Sequence, residues 1–391
     1  MVDPANAGRQ RFDIADIVRA HRPMLAEQIV LTLEQCRVLS AIALCRTAAL
    51  GGHVDVCRSC DYERPAYNSC RNRHCPKCQA LAQELWIAAR SKRVLPVRHF
   101  HVVFTVPSAL RSLARFRPKL LFDALFHAAS ETLMELGKTH LKAELGVTAV
   151  LHTWTRDLRF HPHLHCIVTA GGLALDAERW VPSSPKYLFP VEVMGVLLRG
   201  KMMDTLRRLY TRGELGAFED FRDPEGFDRL MQRLAAARWV VYAKKPFGRA
   251  DHVLRYLGRY THRVGLANSR LVNVTDTTVT FSTKNGKTVT LSPVEFLRRF
   301  VMHVLPKAFV KIRHYGLLAS ANVDGKLEKA RRLLTVASPS MCDAQPTSSP
   351  AMAWEEGLLA VTGRDIRLCP CCGGELIRRQ LSRAAPLEDT S

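Results

Sequence analysis

FHPHLHCIVTAGG, residues 160–172, reads as a β-strand whose polar and apolar side chains separate onto two faces. Residues two apart on a strand share a face. His163 and His165 therefore point the same way while Leu164 turns to the core. Pro162 favours an extended entry. Two imidazoles with an open coordination position can hold a divalent ion that polarises a phosphodiester oxygen. A third ligand is needed, and His101, His161 and His252 are the candidates.

Working outward, residues 147–154 form a second strand, joined to the first through the polar turn RDLRFHP. RHFHVVFTV, residues 98–106, is a third, rich in β-branched and aromatic residues. WVVYAKKP at 239–246 is another. LVNVTDTTVTFSTKNGKTVTL, residues 271–291, makes a hairpin, with Asn285-Gly286 as the turn between its last two strands. Helical spacing fills residues 12–50, including VLTLEQCRVLSAIALC, and recurs at 79–93, 117–144, 190–211, 225–237, 251–263 and 293–304. KAFVKIRHYGLLA, residues 307–319, is a basic segment. Strands and helices in this order fit an α+β class.

The chain has 391 residues, enough for a substantial core, and 47% of them are hydrophobic. Lys and Arg outnumber Asp and Glu by 57 to 36, a formal charge of +21. Such a field attracts polyanions, and nucleic acid is the commonest. No apolar run is long enough to span a membrane. MVDPANAGRQRFD lacks a signal core, so a cytoplasmic location is expected. In a reducing compartment the 12 cysteines serve metal rather than disulfides.

Their densest stretch is GGHVDVCRSCDYERPAYNSCRNRHCPKCQ, residues 51–79. Cys57-x-x-Cys60 and Cys75-x-x-Cys78 have the form of one structural zinc site, with a slightly short intervening run. Cys45, His53, Cys70 and His74 are candidates for a second, mixed site. Arg71, Arg73 and Lys77, interleaved with the cysteines, are placed to meet phosphates. Cys369-x-x-Cys372 in CPCCGGEL, with Cys371 between, looks like half of a zinc ribbon whose other pair is missing; Cys342 is a weak partner. SPSMCDAQPTSSPA, residues 338–351, is a Pro/Ser-rich linker.

DHVLRYLGRYTHRVG, residues 251–265, puts His252, Tyr256 and Tyr260 on one helical stripe and Arg255, Arg259 and Arg263 on the next. A tyrosine hydroxyl with a pKa of about 10 is a poor nucleophile. Polarisation of the phosphate and cations beside the phenolate can compensate. Attack on DNA would then conserve bond energy as a phosphodiester without ATP, and two tyrosines allow two such bonds. Lys244, Lys245 and Arg259 are expected to touch the scissile strand.

In order along the chain, GGHVDVC…YNSCRNRHCPKCQ, HFHVVFTVP, LHTWTRDLRFHPHLHCIV, WVVYAKKPFG, VLRYLGRYTHRVGLAN, EFLRRFVMHVLP and FVKIRHYGLLA resemble the rolling-circle, two-tyrosine HUH transposases of bacterial insertion sequences. The resemblance runs over residues 40 to 320 and weakens after 338. It implies an N-terminal zinc-binding domain before a single-stranded DNA nuclease and ligase of the HUH fold. It makes His163 and His165 ligands of Mg²⁺ or Mn²⁺, and Tyr256 and Tyr260 the nucleophiles of 5′-phosphotyrosine links. Its DNA partners would be the ends of its own mobile element and the target.

Four segments follow: 1–94 helical and zinc-binding, 95–337 nuclease, 338–364 linker, and 365–391 the CxxC tail. A replication initiator or relaxase would share the chemistry, and some carry a helicase. Gly137-Lys138-Thr139 and Gly286-Lys287-Thr288 lack a P-loop, because Thr132 and Phe281 stand where its leading glycine belongs. A zinc-braced DNA-binding regulator explains the charge and cysteines but not the tyrosine stripe. A carboxylate-triad transposase is the third alternative.

Overall fold

The computed structural model describes residues 12–91, 93–216, 221–247, 265–337, 356, 358–359, 363 and 365–381. The helix expected over 251–263 lies outside the described residues, and so do Cys342, His252, Tyr256, Tyr260, Arg255, Arg259 and Arg263.

The chain opens with α1 (Ile14–Gln28), whose first turn is capped by Asp13, and α2 (Leu33–Leu44), which carries a reciprocal Thr32/Gln35 capping box. Strands β1 (Gly52–Cys57) and β2 (Glu63–Tyr67) form a hairpin, and α3 (Gln79–Ser91) follows. Next come β3 (His99–Thr105), α4 (Arg111–Phe116) and α5 (Pro118–Leu136). Sequence periodicity extends α5 to 144, but Lys142 adopts a left-handed φ of 52° and the chain turns into β4 (Ala143–Trp154). A tight turn leads to β5 (Phe160–Ala174), then β6 (Trp180–Pro182), α6 (Val191–Thr211), α7 (Pro224–Ala236) and β7 (Val241–Phe247).

The predicted hairpin region is β8 (Leu271–Val274), β9 (Val279–Ser282) and β10 (Thr288–Leu291). Asn285 and Gly286 both have positive φ, 58° and 73°, as a two-residue turn of primed type demands. Helix α8 (Pro293–Val301) begins on a Ser292 cap, and the basic segment contains β11 (Ile312–Gly316). Helix α9 (Glu328–Ala337) and the tail strand β12 (Leu376–Leu381) complete the order.

The main sheet runs β11-β4-β5-β3-β7, with β6 added against β5, six strands in all. Every pairing is antiparallel. One face is apolar: Phe100, Val102 and Phe104 of β3, Leu151 of β4 and Leu164 of β5 pack with helices α4 to α7 in the largest core. Leu164 is wholly buried there, as the alternation requires. The opposite face carries the histidines and is partly covered by Trp86 of α3, which packs against Val150 and Ile167.

A second core joins the N-terminal helices to the β8–β10 hairpin and α8. Ile14, Ile17 and Leu25 of α1 and Leu39 of α2 pack with Phe281 of β9 and Phe296 and Phe300 of α8. Strand β12 pairs with β1, giving a small sheet in the order β12-β1-β2. Among the described residues no helix is long and apolar enough to cross a membrane.

Candidate active site

The hairpin between β4 and β5 sets the register of the histidine cluster. Trp154 lies opposite Phe160, and His152 opposite His163, across a short irregularity. His152, His163 and His165 thus share the sheet face away from the main core, and their ligating nitrogens all lie within 4.8 Å of one another. The sequence reading missed His152. Counting back from the predicted turn would have found it, because cross-strand partners share a face.

The remaining candidates take other positions. His101 on β3 sets its Nε2 2.7 Å from Nδ1 of His165, with the two rings nearly coplanar. That is a hydrogen bond between imidazoles, which orients the ring of His165. His161 contributes its backbone carbonyl, which accepts from Nδ1 of His163 at 2.7 Å. With Nδ1 donating, Nε2 of His163 keeps its lone pair for a cation.

Burial holds all four rings neutral. It lowers His163 and His101 to about 4, and it lowers His152 well below the ordinary histidine value. His165 is pushed to about 2 by burial, then by His163, His101 and Lys244. A neutral imidazole has no proton to surrender to an incoming metal. The donor set therefore fits a divalent ion.

The cysteines divide differently from the sequence expectation. Cys45, Cys70, Cys75 and Cys78 form one group of converging thiols, and Cys57, Cys60, Cys369 and Cys372 form another. The pairing of Cys57-x-x-Cys60 with Cys75-x-x-Cys78 is thus corrected. Cys57 and Cys60 sit at the β1–β2 turn, whereas Cys70 follows β2 at the opposite end of the hairpin. Five residues of strand separate the two ends by roughly 15 Å.

At the far end, Cys70 N–H points to Cys45 Sγ at 3.5 Å, and the sulfurs of Cys70 and Cys78 are 3.8 Å apart. Hydrogen bonds from Cys70 and Cys75 lower the Cys78 thiol, while Cys70 and Cys75 are themselves raised, so the lowered thiol is one of a shared set. Neither candidate histidine joins a thiol group. His53 pairs with Asp55 at 3.2 Å, and the buried His74 accepts from the Leu305 amide through Nε2 at 3.1 Å.

Comparison with known proteins places the chain in a family. Residues 146–325 match the family described as "Putative transposase", and residues 17–106 match the "Transposase zinc-binding domain". The "Putative transposase y4qJ" of Sinorhizobium fredii is 42% identical over 372 residues, covering 92% of each chain. The "Transposase for insertion sequence element IS801" of Pseudomonas savastanoi pv. phaseolicola is 28% identical over 354 residues, covering 88% of this chain and 83% of its own. The chain belongs to this transposase family. No solved structure matches it.

The transposase acts on DNA, and its cations differ in how free they are to meet it. Lys244 is exposed beside the histidines, directly across from His101 in the β3–β7 ladder. Arg71 is exposed as well. Arg73 instead donates to the Phe309 carbonyl at 2.5 Å, and Lys77 is paired with Asp13 at 2.5 Å. Arg73 thus braces the zinc-binding segment against the nuclease segment, and Lys77 ties it to the start of α1. The side chain of Lys245 lies outside the described residues.

Lys311 was not anticipated. Its ammonium lies 6.0 Å from the centre of the Trp154 ring, which in turn stacks on His152. Burial, then Arg73, lowers Lys311 to about 7. Its charge is therefore sensitive to pH near neutrality.

Proposed function

We propose that this transposase breaks and rejoins single-stranded DNA through 5′-phosphotyrosine bonds on Tyr256 and Tyr260, in rolling-circle transposition. The nuclease domain, residues 95–337, is then of the HUH type. The observation that carries the reading is the convergence of His152, His163 and His165 on adjacent antiparallel strands, in a chain that belongs to a transposase family. The ligands would be these three imidazoles, holding Mg²⁺ or Mn²⁺. When bound, the ion would polarise the scissile phosphate and stabilise its developing charge.

The chain's own residues supply the rest. A tyrosine oxygen attacks phosphorus, its proton leaves to solvent or a nearby base, and the P–O3′ bond breaks with the 3′ oxygen taking up a proton. The energy of the broken phosphodiester is kept in the new one, so a later 3′ hydroxyl can reverse the step without ATP. Arg255, Arg259 and Arg263, interleaved with the tyrosines in the sequence, would offset phenolate charge. Lys244 would hold the strand by its phosphates.

The test is incubation of the purified transposase with single-stranded DNA from its element's ends and Mn²⁺, labelled on either side of the cut. A metal-dependent adduct on a denaturing gel, absent when both tyrosines are Phe, is the expected result. Free 3′ hydroxyl fragments without an adduct would overturn the tyrosine roles.

A further inference from the structure

The family's zinc-binding match ends at residue 106, yet Cys57 and Cys60 within it face two thiols from the far end of the chain. We propose that Cys57, Cys60, Cys369 and Cys372 hold one structural zinc ion in a ribbon that clasps the C-terminal tail onto the N-terminal module. This ion is additional to the one held by Cys45, Cys70, Cys75 and Cys78.

The sulfur spacing suits zinc. Cys57 and Cys372 are 3.4 Å apart, Cys60 and Cys372 3.5 Å, and Cys60 and Cys369 3.7 Å. Four sulfurs at about 2.3 Å from a tetrahedral ion stand about 3.8 Å from one another. A disulfide would need about 2.05 Å.

Both halves have the same local build. Ser59 N–H points to Cys57 Sγ at 3.3 Å, and Cys371 N–H to Cys369 Sγ at 3.4 Å. Each turn is closed by a backbone bond, Cys57 N–H to the Tyr62 carbonyl at 2.9 Å and Cys369 N–H to that of Gly374 at 2.7 Å. Amides aimed at sulfur favour the thiolate that a metal requires. The two turns also approach closely. A Cβ on Gly374 would stand 2.7 Å from Ser59 Oγ and 3.3 Å from Cys372 Sγ.

Independent contacts hold the tail in this register. Six residue pairs join β1 to β12, from Gly52 opposite Leu381 to Cys57 opposite Leu376. Asp55, only 2% exposed, gathers Arg64 of β2 at 2.7 Å and Arg378 of β12 at 3.4 Å. Arg58 bonds to Glu375 through both backbone and side chain. A short polar sheet such as β12-β1-β2 has little core of its own, and a metal supplies what the core lacks.

The deciding measurements use the full chain. Native mass spectrometry should find two zinc ions in the wild type and one in the C369S/C372S double variant. A single ion in the wild type, or two in that variant, overturns the proposal. A variant that failed to fold would leave a second arm to decide. A specific protease site inserted after Ser349 lets the tail be cut from otherwise wild-type protein. The cut tail should stay with the body on a sizing column and leave it when a chelator is added. Tail lost with zinc present, or kept after the zinc is removed, overturns the clasp.

Discussion

His152 on β4 stands opposite His163 on β5, their rings 5.4 Å apart and edge to face. Neither position could move by one residue without sending its imidazole into the main core, since side chains alternate along each strand. The relationship would make His152 the third ligand of the proposed centre. His152→Ala should reduce Mn²⁺-dependent cleavage by at least about 100-fold, a larger loss than changes to supporting residues produce. His101→Ala should act through His165. It should weaken Mn²⁺ binding by about 10- to 100-fold while leaving the rate at saturating Mn²⁺ close to wild type. Calorimetry of Mn²⁺ binding beside cleavage rates separates the two, and undiminished Mn²⁺ affinity in His152→Ala would remove it from the site.

Two tyrosines four residues apart in the sequence make a prediction that a single nucleophile does not. Tyr256→Phe and Tyr260→Phe, made singly, should each keep one adduct-forming reaction and lose complete strand exchange by about 100-fold or more, the scale of losing a positioned nucleophile. Cleavage and joining assayed on the same labelled strand would show it. If either single variant exchanged strands at the wild-type rate, one tyrosine would suffice.

Much of this was legible in the sequence because strand alternation is a local property. Leu164 inward with His163 and His165 outward follows from spacing alone, and Asn285-Gly286 names its own turn. The family, too, was readable from the ordered motifs. What failed was long-range pairing. Cys57 and Cys60 have a matching pair nearby at Cys75 and Cys78, but a hairpin separates them and their partners lie 309 positions away for Cys60 and Cys369. Strand β11 was read only as a basic segment, because Lys311, Arg313 and His314 mask its pattern. Arg313 is accommodated there by packing its guanidinium 4.2 Å from the centre of the Phe126 ring. No local signal announces such a partner.

Acid should destabilise the fold through histidines outside the proposed metal site. His303 is wholly buried, its Nδ1 against Thr153 Oγ1 at 3.2 Å and its Nε2 donating to the Leu158 carbonyl at 3.1 Å. Burial lowers it from 6.5 to about 4, so the unfolded chain takes up the proton first as pH falls. Stability is full above pH 6.5 and declines until about pH 4, by about 3 kcal/mol for this group alone. His99, also buried and near 4, adds a decline in the same window. Urea unfolding between pH 7.5 and 4.5 measures the slope. Loss of zinc in acid acts in the same direction, so the comparison that counts is His303→Gln, which should flatten part of the slope. An unchanged slope in that variant would sink the assignment.

Cations that look alike in the sequence should separate by experiment. Lys244 is exposed at the edge of the histidine face, so Lys244→Ala should weaken single-stranded DNA binding and lower the salt slope by about 0.7, the share of one phosphate contact. The loss should be similar for unrelated DNA sequences, since a phosphate contact carries no base information. Arg73 and Lys77 are already engaged, with the Phe309 carbonyl and the Asp13 carboxylate. Their Ala variants should lower the melting temperature while leaving the salt slope of the folded protein near wild type. Binding titrations at several salt concentrations, paired with thermal unfolding, distinguish these behaviours. A full-sized slope in Lys244→Ala would mean that the strand passes elsewhere, away from the β7 edge.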